Sequence, residues 1–84
     1  MNSAHRKTYA TMFASPIPRS LAFRNVESML RAIGCTVVEA EGSRVDFSLG
    51  AHGVTLHRPH PGKEIKPYQI RLVRDFLVLV GVKP

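Results

Sequence analysis

Residues 42–61, GSRVDFSLGAHGVTLHRPHP, decide the fold, because they read as two β-strands followed by a histidine-rich exit. Val45, Phe47 and Leu49 alternate with Arg44, Asp46 and Ser48, and after Gly50-Ala51-His52-Gly53 the alternation resumes with Val54 and Leu56 against Thr55 and His57. One face of the hairpin is therefore apolar and the other polar. A strand that buries one face has its register set by that face, since a one-residue slip would turn Phe47 and Leu56 to water and Asp46 and His57 into the core. A turn made of those four residues pairs Leu49 with Val54, Phe47 with Leu56 and, on the polar face, Asp46 with His57. A carboxylate directly across from an imidazole has its Cβ within roughly 5.5 Å, close enough to orient the ring and favour its protonated form. Upstream, Glu41-Gly42-Ser43-Arg44 predicts a type II′ hairpin with glycine at the first central position. That adds Thr36 to Glu41 as a third strand and sets Glu39 opposite Asp46, so Glu39, Asp46 and His57 are expected to form one cross-sheet row.

Helices flank these strands. Ser3 reads as an N-cap and residues 4–14 as a helix with Tyr9, Met12 and Phe13 on one side; His5, Arg6 and Lys7 read as its solvated start. Pro16 and Pro18 end it and predict an extended linker to Phe23. From Arg24 to Ile33, Val26, Met29, Leu30 and Ile33 fall at i, i+3, i+4 and i+7, with Gly34 as the C-terminal cap. Arg58 to Lys66 reads as a loop with Pro59, Pro61 and Gly62. Pro67 suits the first position of a last helix, Pro67 to Val80, whose inner stripe is Ile70, Val73, Phe76, Leu77 and Val80 and which ends at Gly81. Leu72, Val78 and Leu79 widen that apolar surface, so a second covering is expected, either the first helix or another chain, a second copy included. The order helix, helix, strand, strand, strand, helix predicts an α+β fold, a small three-stranded antiparallel sheet with helices on one face.

A chain of 84 residues suits one small domain, with residues 1–20 as an N-terminal helical extension. Twelve Lys and Arg against six Asp and Glu give a formal charge of +6 and a pI near 10.3, values that suit a polyanionic partner as well as simple solubility. Cys35 is the only cysteine, so neither an internal disulfide nor a thiolate metal cluster is available, which fits a reducing cytoplasm. No apolar run reaches the 18 residues or so that a membrane span needs.

From Val26 to Val82 the chain resembles the HicA family of toxins from toxin-antitoxin pairs. The resemblance is carried by the apolar helix ending at Ile33-Gly34, the Gly42-Ser43 turn, the alternating strands, the Pro59-His60-Pro61 exit and the closing helix that ends at Gly81. It implies a fold similar to the double-stranded-RNA-binding domain, a metal-independent endoribonuclease activity on mRNA, no cofactor, and inhibition by a cognate HicB-like antitoxin. One position departs. Where the family has a histidine held to be catalytic, just after the Gly-Ser turn, this chain has Arg44 and Val45. Either the chemistry sits elsewhere, or the chain is a non-catalytic RNA-binding or protein-interaction module.

His57 is the leading candidate for proton transfer. Metal-free cleavage needs a group that takes the proton from the attacking 2′-hydroxyl, and a histidine titrating near neutrality does this for a gain of roughly 10²- to 10⁴-fold. His60, the match to the family, is the candidate for the second transfer. Arg44 suits the phosphate as a cation, and Arg44, Arg58, Lys63 and Lys66 are the expected RNA contacts. A metal at His57 and His60 with His52 is not expected, because residues three apart on a strand face opposite sides and no cysteine pair or acid run completes a site. Ser43 and Ser48 lack a nucleophile elbow, and Cys35 reads as facing the core. The acids Glu39 and Asp46 read poorly as a glycosidase pair in so small and basic a chain.

Overall fold

The computed structural model describes residues 1–60 and 62–83; Pro61 of the expected Pro-His-Pro exit lies outside them. Three strands, β2 (Thr36–Glu39), β3 (Arg44–Leu49) and β4 (His52–His57), form an antiparallel sheet in that order. Two short strands, β1 (Leu21–Ala22) and β5 (Glu64–Ile65), pair separately. The helices are α1 (Ser3–Met12), α2 (Phe23–Ala32) and α3 (Pro67–Val80). The fold is α+β, with a three-stranded antiparallel sheet and helices on one of its faces. Val45, Phe47, Val54 and Leu56 from the sheet meet Phe23, Val26, Met29 and Leu30 from α2 and Ile70, Val73, Phe76 and Leu77 from α3 in one core. The alternation thus sorts the faces of β3 and β4 as expected, and burial of a side chain such as Phe47 contributes roughly 2–3 kcal/mol.

Both hairpin registers differ from expectation. Leu49 pairs with His52, not Val54, so the loop is the two residues Gly50-Ala51. The ladder shifts by two positions, which preserves the faces and changes the partners: Asp46 lies across from Thr55, and His57 lies across from Arg44. In the other hairpin the Ala40 N–H donates to the Arg44 carbonyl at 2.9 Å, so the loop is the three residues Glu41-Gly42-Ser43 with Gly42 at φ +67°. A three-residue loop with glycine in the left-handed region replaces the expected two-residue type II′ turn. That slip is by one residue, and it changes the face. Glu39 pairs with Val45 instead of Asp46 and belongs to the helix side of the sheet. The expected row of Glu39, Asp46 and His57 does not form.

The helices sit close to their expected bounds. Asn2, not Ser3, caps α1: its Oδ1 accepts from the His5 N–H at 2.9 Å, and His5 Nδ1 accepts from the Asn2 N–H at 3.2 Å. His5 is therefore not a loose solvated side chain, and its Nε2 lies 2.8 Å from Ser28 Oγ on α2. α1 packs on α2 and reaches the end of α3, where Tyr9 donates to the Val82 carbonyl at 2.9 Å and Arg74 lies 5.4 Å from the Phe13 ring centre. It does not cover the outer flank of α3, where Leu72, Val78 and Leu79 stay exposed. Pro67 opens α3 and Gly81, at φ +72°, closes it as expected. Among the described residues no helix is long and apolar enough to cross a membrane.

The segment between β4 and α3, expected as plain loop, contains β5. Ile65 is fully buried in the core, and the Phe23 N–H donates to the Lys63 carbonyl at 2.9 Å, extending the β1–β5 pair. These contacts pin the loop that carries His60 to the start of α2.

Candidate functional site

β4 leaves the sheet where the Arg58 N–H donates to the Ser43 carbonyl at 2.7 Å, continuing the ladder one step past His57. Two adjoining open clefts flank this exit and share Ser43, Arg58, Pro59 and His60. The larger, about 580 Å³, also takes in His57, Lys63, Glu64, Lys66, Tyr68 and Gln69. The smaller, about 280 Å³, adds Arg44 and Glu39. All six candidate residues thus line one end of the molecule.

Their individual settings differ. His57 stands on the open face of β4, with Nδ1 3.4 Å from Ser43 Oγ, at the long end of hydrogen-bonding range. Its backbone carbonyl accepts from Nε2 of Gln69, a buried side chain of α3, at 3.3 Å. The carboxylate expected across from it is engaged elsewhere: Asp46 Oδ1 accepts from the Thr55 hydroxyl at 2.8 Å and lies 3.6 Å from Arg44 Nε. His60 is exposed in the loop after Pro59. His52 sits at the opposite end of β4 from His57.

Arg58 follows the strand alternation to the helix side. Its guanidinium donates to Glu39 Oε1 at 2.6 Å and to Glu27 Oε1 at 3.3 Å, and its carbon lies 5.0 Å from the Phe23 ring centre. The hydrogen bond to Glu39, helped by the charges of both acids, holds its pKa above the ordinary arginine value against the opposing effect of burial. This arginine, expected as an RNA contact, ties sheet, α2 and loop together. Glu27 also accepts from Arg31, at 3.0 Å.

Lys63 and Lys66 are exposed at the cleft mouth and form no ion pair among the described residues. Lys66 is the N-cap of α3, whose first turn holds no acid and no side-chain cap. The partial positive charge of a helix start, roughly half an elementary charge, adds to the two ammonium groups and favours an anion there. Tyr68 and Gln69 escaped the sequence reading. Tyr68 lies off the inner stripe of α3 in the middle of a cationic stretch, and that phase was the signal available.

An α+β sandwich with a cationic, histidine-bearing cleft at the sheet exit defines the class of protein. The family model described as HicA toxin of bacterial toxin-antitoxin matches residues 23–75, and the chain belongs to that family. No curated protein and no solved structure matches it. The matched span runs from the first residue of α2 into α3, contains every candidate residue and excludes α1. Membership of a toxin-antitoxin family implies an antitoxin as partner.

Proposed function

We propose that this chain is a metal-independent endoribonuclease that cuts mRNA in the cytoplasm and is restrained by a cognate HicB-like antitoxin. The observation that carries the reading is that two histidines and two unpaired lysines line the same open cleft beside an uncapped helix start. His57 takes the proton from the 2′-hydroxyl as that oxygen attacks the adjacent phosphorus, and His60 protonates the departing 5′-oxygen, leaving a 2′,3′-cyclic phosphate. Ser43, near His57 Nδ1, takes the orienting role expected of Asp46. Arg44, across the ladder from His57, and Lys66 stabilise the extra negative charge on the phosphorane. Lys63 and Lys66 hold flanking phosphates, while Arg58, engaged with Glu27 and Glu39, maintains the cleft wall.

The test is cleavage of mRNA by purified protein in excess chelator. The expected result is cut RNA with cyclic phosphate ends, a loss of about 10²-fold or more in His57→Ala, and a smaller loss in His60→Ala. A second reading, a non-catalytic RNA-binding or protein-interaction module, is favoured by Arg44 in place of the family's histidine. Protein that binds RNA and leaves it whole would establish that reading instead.

A further inference from the structure

Of the six aromatic side chains in the chain, five are packed: Phe23, Phe47 and Phe76 in the core, with Tyr9 and Phe13 stacked at a centroid distance of 4.7 Å against it. Tyr68 is the exception, with 59% of its surface exposed. It lines the cleft shared by His57, His60, Lys63 and Lys66. Its position is well defined, because Pro67 fixes the backbone before it and the next residue, Gln69, is buried and bonded to the His57 carbonyl at 3.3 Å. An exposed aromatic side chain thus starts from a fixed backbone position in the cleft of the candidate base, beside Lys63 and Lys66.

We propose that Tyr68 is the platform on which one unpaired base of the RNA stacks, so that the strand is single-stranded where it enters the cleft. This rests on the reading of the cleft as an RNA site. The chemistry is direct: every base offers a π-face, and cations beside an aromatic ring hold the phosphates that flank the stacked nucleotide. A base inside a duplex has both faces covered by its neighbours, so a platform of this kind selects a splayed, unpaired nucleotide. Tyr68 is a positioning residue here, since it orders the nucleotide and leaves proton transfer to the histidines.

The experiment uses the full chain and a short RNA strand with 2′-O-methyl sugars, in which the attacking hydroxyl is blocked. The strand carries 2-aminopurine, whose fluorescence falls on stacking. The parent is expected to bind in a salt-dependent way and quench the probe. Tyr68→Ala should weaken binding about 5- to 150-fold, the equivalent of the roughly 1–3 kcal/mol of a stacked base, and abolish the quench while leaving the salt slope unchanged. Tyr68→Phe should keep both. Lys66→Ala should flatten the slope and keep the quench. Tight, quenching binding by Tyr68→Ala, or a duplex of the same sequence bound as tightly as the single strand, would overturn the inference. A parent that binds neither strand fails differently, because it removes the RNA reading itself and the inference with it.

Discussion

At Arg58 one guanidinium meets Glu39 and Glu27 and covers the Phe23 ring, so its planar fork and its flat face are both in use. The site is about two-fifths exposed, and solvent screens each ion pair to well under 1 kcal/mol. Arg58→Ala is expected to lower stability by about 1–2 kcal/mol in urea unfolding, with Arg58→Lys recovering little because an ammonium cannot span both acids or stack as well. Phe47→Asp, which puts an unpaired charge in the core, should unfold the protein, whereas Asp46→Asn on the open face should be tolerated; circular dichroism distinguishes them. Cys35 is half-buried against the core, and burial pushes its thiol pKa up. Less thiolate is present at pH 8 than for a free cysteine, so alkylation by iodoacetamide should be slower and should accelerate on unfolding. At this scale the side of each residue in β3 and β4 was legible from alternation alone, whereas Glu39 of β2 was expected on the open face and lies on the helix side. The identity of each cross-strand partner was not legible, because that depends on how many residues the turns consume.

The hairpins show why. Gly50-Ala51-His52-Gly53 contains two glycines, and either spacing of the loop accounts for them. Only Gly50 is there for a positive φ, at +61°; Gly53 lies within β4, where a Cβ would come within 3.2 Å of the Phe47 carbonyl oxygen. One glycine serves the turn and the other a close approach between strands, a distinction that needs the third dimension. The register is directly measurable. Residues opposed across non-hydrogen-bonded pairs have Cα atoms near 4.5 Å, and the two-residue loop makes Asp46 with Thr55 and Arg44 with His57 such pairs. Strong Hα–Hα nuclear Overhauser effects are expected for these two pairs, and one between Asp46 and His57 would refute the register. The β1–β5 pair was invisible for another reason: two residues per strand cannot display a period, and Leu21-Ala22 follows a proline-rich stretch.

Across the whole molecule, the sandwich of helices on one sheet face was legible because three amphipathic segments share one plausible core. The way α1 attaches was not, since it depends on His5 meeting Ser28 and Tyr9 meeting Val82, pairs far apart in the chain. Removing residues 1–15 takes away the fully buried Met12, a loss worth about 2–5 kcal/mol on its own, so the truncated chain should unfold at lower urea. It should not alter solvent access at Leu72 and Leu79, which α1 leaves bare. The open cleft has a consequence in time as well as in affinity. On the proposed function, an mRNA is a long track of equivalent phosphates, and a chain held to it largely by Lys63 and Lys66 can slide and hop before it departs. With toxin scarce and salt low, successive cuts should therefore fall on the same transcript while its neighbours remain whole; as salt rises, the search becomes three-dimensional and the cuts should scatter evenly over the population.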